Sequence, residues 1–301
     1  MGGHPNLRIG VVTSVLGMDP SLYSTLDSVR RSADLAGTQV LHVVSNGGVK
    51  NPALAELVRH MTESSTCWTG VVNEECDESF YEGLKNGFQA LDTWADCDWF
   101  GYLNAGDVWF SGTAGCIAAV SRVQRIDWFT GTNSYHSQGG IPTIVVEPFR
   151  YRRQLIQRVM YGRFLPGIQQ ESTFWSRRLH FHIDWNSVCN SSVAGDAEIW
   201  RQLAASSDLF VIQALLGSFQ MCGDHLSQTI DYKSELRRLD QGPQGSFGAL
   251  KDLLHAVVEA AIWRIPSHRL RMLLEPDLYF VANTDGESWR NSRGEKIRFE
   301  P

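Results

Sequence analysis

Three times in the first hundred residues a short apolar run gives way to a segment of helical spacing, and a fourth run follows. Ile9-Gly10-Val11-Val12-Thr13-Ser14 reads as a buried strand, and Asp19-Pro20 behind it offers an N-cap with proline at the first helical position. In the helix so predicted, Leu22, Leu26, Val29 and Ala33 recur at the helical period and leave Arg30, Arg31 and Asp34 to solvent. A second strand is predicted over 40–44, closed by Asn46-Gly47-Gly48, whose glycines permit positive φ in a sharp turn. A helix follows over 53–61, then a third strand over 68–72. Phe80, Leu84, Phe88 and Leu91 form the apolar face of a third helix, which Asp77 is placed to cap. Trp-Phe-Gly-Tyr-Leu at 99–103 is the fourth strand, and it breaks at Asn104-Ala105-Gly106 to end on Asp107.

Strands that alternate with helices in this way predict an α/β fold, because parallel neighbours need crossover connections and a helix is the usual crossover. Such a sheet brings its strand ends to one rim, where ligands bind in open α/β proteins. Thr13, Ser14, Asn46, the segment before Asp77, and Asp107 would therefore share one crevice. By itself, an Asp after a Gly equally suits an ordinary turn.

Past residue 111 the rhythm loosens. A helix is predicted over 111–125, strands over 128–131 and 143–146, and strand-like character over 169–175. Asp196 opens the amphipathic segment AEIWRQLA, and 209–221 reads as one long apolar strand. Beyond Tyr232 the chain is charged and then amphipathic, so a domain over 1–231 and a helical extension over 232–301 are expected. Leu250, Leu253, Leu254, Val257, Val258 and Ala261, followed by several arginines, suit either packing on the main domain or peripheral attachment to a membrane.

Composition narrows the function classes. With 301 residues, 43% of them hydrophobic and 20% charged, the chain is of ordinary globular make-up, and its net charge of −6 speaks against a nucleic-acid partner. Six cysteines without a C-x-x-C pair fit free thiols in a reducing compartment, and the absence of a long apolar segment points to the cytoplasm. Neither G-x-x-x-x-G-K-[ST] nor G-x-G-x-x-G nor G-x-S-x-G occurs. His180-Phe181-His182 lacks a nearby third ligand for zinc. Isolated carboxylates at strand ends remain, a pattern suited to holding a nucleotide diphosphate through Mg²⁺ or Mn²⁺.

At this point the sequence resembles the family 2 glycosyltransferases, whose nucleotide-sugar-binding fold is called GT-A. IGVVTSV is similar to the family's opening strand, VVSNGG to its V-D-G-G turn, CDESFYEGLKNGF to its D-x-G-x-Y-D-A-x-N-x-G segment, and YLNAGD to its L-N-x-x-D strand end. IQQESTFWSRRL and AGDAEIW resemble the acceptor-side stretch and the general-base segment. The resemblance implies a GT-A nucleotide-diphospho-sugar transferase fold, with a mostly parallel central sheet wound with helices and a C-terminal helical extension.

It also implies roles. Thr13 and Asn46 would contact the nucleoside, Asp77 the base or ribose, and Glu171 the substrate. Asp107 would coordinate the cation, and Asp196 would deprotonate the acceptor hydroxyl, with Glu171 and Asp184 the next candidates for that task. The donor would be a nucleotide sugar, a UDP-sugar first, and the acceptor a glycan or lipid-linked hydroxyl, with the protein itself cytoplasmic or peripheral at the inner face of the membrane. Capping explains Asp77 and Asp196 equally well, since each precedes a helix. Departures stand at Asn46, where Asp is usual, at Ala105, which removes the first acid of D-x-D, at Gln170-Glu171 in place of His-Gln, and at Cys222. They keep open a non-catalytic binding or scaffold subunit. A sugar-phosphate nucleotidylyltransferase is the other enzyme class, although its Gly-rich phosphate loop is missing.

Overall fold

The computed structural model describes residues 7–221, 232–240, 246–264, 279–282 and 289–291, apart from 49, 95, 124–125, 138–140 and 147–149. Its first half is the predicted alternation: β1 (Arg8–Val15), α1 (Leu22–Ala36), β2 (Gln39–Asn46), α2 (Pro52–Glu63), β3 (Trp68–Asn73), α3 (Phe80–Trp94) and β4 (Trp99–Tyr102). All three pairings among these strands are parallel, β1 with β2, β1 with β4 and β2 with β3. Period-two alternation sends Ile9, Val11 and Val15 into one core and Val12 into another, so the sheet is buried on both faces. The first core is closed by Leu22, Leu26, Val29 and Ala33 of α1 with Leu54 and Val58 of α2, the second by Leu84, Phe88 and Leu91 of α3. Two predicted caps differ. α1 starts at Leu22, with Asp19 accepting from the Ser21 N–H (2.8 Å) in a turn before the helix. α3 is capped by Ser79, whose Oγ accepts from the Glu82 N–H at 3.2 Å, and Asp77 is left for other work.

The second half is shorter-stranded: β5 (Val108–Trp109), α4 (Thr113–Val120), β6 (Trp128–Thr130), β7 (Asn133–His136), β8 (Pro142–Val146), α5 (Arg153–Gln157), a 3₁₀ turn (Gln170–Ser172), β9 (Thr173–Ser176), α6 (Arg177–His180), α7 (Trp185–Cys189), α8 (Gly195–Ser206), β10 (Phe210–Ile212) and β11 (Gly217–Gln220). β9 runs antiparallel between β4 and β6, and β6 leads on to β10. The apolar stretch 209–221 is therefore two strands in two sheets, since β11 leaves β10 to join a smaller sheet ordered β5-β11-β7-β8. The turn between them is fixed by the Thr132 N–H donating to the Ala214 carbonyl at 2.8 Å.

The C-terminal segment contains α9 (Tyr232–Leu239) and α10 (Ser246–Trp263), and also β12 (Tyr279–Ala282) and β13 (Trp289–Asn291). These strands extend the main sheet from β10, giving the nine-stranded order β3-β2-β1-β4-β9-β6-β10-β12-β13, so the extension is not purely helical. α10 packs through Ala256 and Glu259, both buried. Glu259 accepts from the buried Arg150 guanidinium at 2.7 and 2.9 Å and from Arg152 Nε at 2.7 Å. Leu253, Leu254, Val257 and Val258 of the same helix are exposed. Among the described residues no helix is long and apolar enough to cross a membrane.

Candidate active site

β4 ends in a tight turn in which the Asp107 N–H donates to the Asn104 carbonyl at 3.1 Å. Gly106 has φ +100°, a conformation that L side chains resist. A Cβ there would also stand 1.9 Å from Gln220 Oε1, so the sequence needs glycine on both counts. Thr25 of α1 locks the turn, accepting from the Gly106 N–H (2.9 Å) and donating to the Asp107 carbonyl (2.8 Å). The Asp107 side chain is buried, with Oδ1 accepting from the Gln220 N–H (3.0 Å) and Oδ2 from Gln170 Nε2 (2.8 Å). Burial pushes its carboxyl above the usual range against these hydrogen bonds.

Glu171 sits one residue past Gln170, is 1% exposed, and has no hydrogen-bond partner on either carboxylate oxygen. Burial, then the charges of Asp107 and Asp196, drive its carboxyl well up. Its backbone lies against Gly217 of β11, where a Cβ would meet the Glu171 carbonyl oxygen at 2.0 Å. Asp196 stands in the first turn of α8, not at its N-cap, which is Ala194. Its Oδ1 accepts from the Ala197 N–H at 2.8 Å, and burial raises its carboxyl to about 6. Tyr81 of α3 accepts from the Asp196 N–H (3.4 Å) and donates to the Val193 carbonyl (3.1 Å). Glu171 is thus near enough to Asp107 and to Asp196 to feel both charges, and no cation is among the leading influences on any of the three.

Asp77 belongs to the neighbouring strand ends. Its carboxylate lies against Gly47 and Gly83, where a Cβ would come within 2.0 and 2.7 Å of Oδ2, and Ser14 Oγ adjoins the same point at Gly83. Asp77 Oδ2 is buried without a partner, and burial followed by the charge of Glu82 raises its carboxyl. Asn46 is fully buried and turns its Oδ1 to the N–H groups of Gly17 (2.8 Å) and Gly48 (3.3 Å), tying the loops after β1 and β2 together. Thr13 does not join the rim. Its hydroxyl is buried against His42 Nε2 at 2.9 Å, and burial lowers that imidazole to about 3, so the pair is neutral.

Asp184 stands apart from these acids, since it caps α7 from an exposed position by accepting from Asn186 and Ser187. His180 is a core residue, stacked on Phe100 with centroids 3.9 Å apart. Cys222 lies outside the described residues. Gln220, Tyr81, Tyr102, Tyr232 and Glu235 were not among the expected site residues. Only Gln220 had a local signal, as a polar residue ending an apolar run.

The architecture is GT-A-like: a mixed α/β fold with a mostly parallel central sheet and helices. No protein-family model matches the chain, and no curated protein sequence does. The likeness is to solved glycosyltransferase structures. TarS of S. aureus aligns with a TM-score of 0.53 and 10% identity over 90% of this chain and 46% of that one. TarS 1-349 in complex with UDP-GlcNAc aligns with a TM-score of 0.51 and 9% identity over 77% of this chain and 65% of that one. The chain thus spans less than two thirds of the length of either structure.

Proposed function

We propose that the chain is an inverting glycosyltransferase of the family 2 type, moving a sugar from a nucleoside-diphosphate sugar, a UDP-sugar first, to an acceptor hydroxyl. The observation that carries this reading is the pair of buried acids Asp107 and Glu171, with Asp196 near enough to act on Glu171 by its charge and no cation among the leading influences on them. Burying acids costs free energy, and a fold retains them where a ligand uses them. The TarS complex with UDP-GlcNAc supports a nucleotide sugar as that ligand.

A divalent cation fits this donor set. Asp107 offers hard carboxylate oxygens at a strand end, and the unpartnered oxygens of Glu171 lie near enough for the charge of Asp107 to raise the Glu171 carboxyl. Among the described residues no three acidic, His or Cys side chains form a ready-made metal site, so the donor's phosphates would have to complete the coordination of an ion at Asp107. Asp107 would hold Mg²⁺ or Mn²⁺, which when bound offsets charge growing on the departing diphosphate.

The chain's own residues supply the rest. Asp77, whose carboxylate is seated against Gly47 and Gly83, accepts from the nucleoside. Glu171 accepts from hydroxyls of the transferred sugar or the acceptor. Asp196 takes the proton of the acceptor hydroxyl as its oxygen bonds to the anomeric carbon; the bond from that carbon to the diphosphate oxygen breaks, and its electron pair leaves with the diphosphate. A carboxyl raised to about 6 is a stronger base than an ordinary aspartate and is still ionised at neutral pH. The outward Leu253, Leu254, Val257 and Val258 face supports peripheral contact with a membrane that carries a lipid-linked acceptor. Product analysis tests the reading: release of nucleoside diphosphate from a nucleotide sugar supports transfer, whereas pyrophosphate signals nucleotidyl chemistry and no product signals a binding subunit.

A further inference from the structure

The turn that delivers Asp196 has little to hold it from its own sequence. Ser191-Ser192-Val193-Ala194-Gly195 is built of small residues, and Ala194 at the N-cap has no side chain that can accept a hydrogen bond. Three successive amides are instead gathered by one carboxylate from more than forty residues away. Glu235 Oε1 accepts from the Ser192 N–H at 3.0 Å, and Oε2 accepts from Val193 (3.0 Å) and Ala194 (2.9 Å). Glu235 is 5% exposed, and against the cost of burial these amides hold it below the ordinary glutamate range.

Glu235 does not act alone on α9. Leu236 is fully buried against Val159, Ala194 and Ala197, with Tyr232 packed beside them, so positions i, i+3 and i+4 of one helix face lie on the turn. Tyr232 and Asp196 line the same small cavity together with Trp200 and Ile168. On the other side Tyr81 bonds both Asp196 and Val193, and Gly195 lets its ring approach, since a Cβ would stand 2.6 Å from Tyr81 Cε1.

We propose that Glu235 is a positioning residue for Asp196, clamping the turn between α9 and α3, so that the segment beyond residue 231 completes the active site. The inference rests on the reading of Asp196 as the base. It gives α9 a task that a separate tail would not have. The groups facing Asp196 are Tyr81 from α3, Tyr102 from β4, Glu171 from the 3₁₀ turn, and Tyr232 and Glu235 from α9. The negative charge of Glu235 opposes ionisation of Asp196, and Arg238, exposed and 3.6 Å from Glu235 Oε1, offsets it weakly.

Glu235→Gln in the full chain separates positioning from mere anchoring. Gln keeps the shape but loses the charge and one acceptor oxygen. Hydrogen exchange of peptides spanning 190–197 is expected to accelerate at least tenfold, with β1 and β4 peptides unchanged. With UDP-GlcNAc and Mn²⁺ as the probe, kcat for UDP release is expected to fall at unchanged donor KM, and the acid limb of the pH profile to move to lower pH. Unchanged exchange, or reduced turnover with the limb at the wild-type pH, overturns the proposal. Should Glu235→Gln not fold, Glu235→Asp keeps the charge and shortens the reach, and the same exchange criterion decides. If wild type releases no UDP while the exchange result is as expected, the clamp stands and the base reading of Asp196 fails.

Discussion

Asp196→Asn makes two opposed demands on one side chain. The carboxyl is raised from 3.8 to about 6 by burial, so the native state favours its neutral form. The stability this contributes is fully present below pH 4 and is lost as pH rises through 6, and the rise corresponds to about 3 kcal/mol of penalty on the ionised native state at pH 8. Asn is neutral, nearly isosteric, and its carbonyl can still accept from the Ala197 N–H that Asp196 now engages at 2.8 Å. The variant is therefore expected to be more stable than wild type at pH 8 by up to about 3 kcal/mol, with the difference vanishing near pH 4. Transfer is expected to fall by about 10²–10⁴-fold, because the proton acceptor is gone, and the wild-type acid limb near pH 6 to disappear from the residual rate. Urea denaturation at pH 4, 6 and 8 reads the first effect and a pH–rate profile the second. A variant less stable than wild type at pH 8, or one that transfers within a few-fold of it, would refute the assignment.

Three further outcomes follow from particular contacts. Ser79→Ala is expected to cost about 0.5–2 kcal/mol through the lost helix cap, whereas Asp77→Ala costs little stability but weakens nucleotide binding, as thermal unfolding and calorimetric titration with UDP would show. Gly106→Ala forces an L side chain to φ +100° and into Gln220, so a loss of about 1–3 kcal/mol in chemical denaturation is expected, together with weaker donor binding. Leu254→Asp combined with Val257→Asp is expected to abolish flotation with anionic liposomes while leaving the melting temperature near wild type, because both side chains are exposed; equal flotation would rule out α10 as the contact.

The first four strands and their helices were legible because burial on both faces writes a continuous apolar run, and an amphipathic helix writes its own period. Asp107 was legible for a related reason, as the first carboxylate after such a run. The split of 209–221 into β10 and β11 was not, because one apolar stretch reads the same whether it fills one sheet or two. The caps of α1 and α3 moved by a few residues, since Ser79 and Asp77 are both able to cap and only the loop path after β3 chooses between them. Thr13 lies on the predicted strand, but its hydroxyl is drawn inward by His42, a partner 29 positions away. The hold of Glu235 on 192–194 is likewise a long-range pairing with no local trace, which is why the chain beyond 231 read as a separate extension.

The central claim is that the site at the end of β4 binds a nucleotide sugar through a cation held by Asp107. Calorimetric titration of wild type and Asp107→Asn with UDP-GlcNAc, each with Mn²⁺ and with EDTA, tests it most directly. The account predicts binding by wild type that requires Mn²⁺, and loss of that Mn²⁺-dependent component in a variant whose far-ultraviolet dichroism is unchanged. Binding of equal strength by both proteins, or binding by wild type that is indifferent to Mn²⁺, would contradict it.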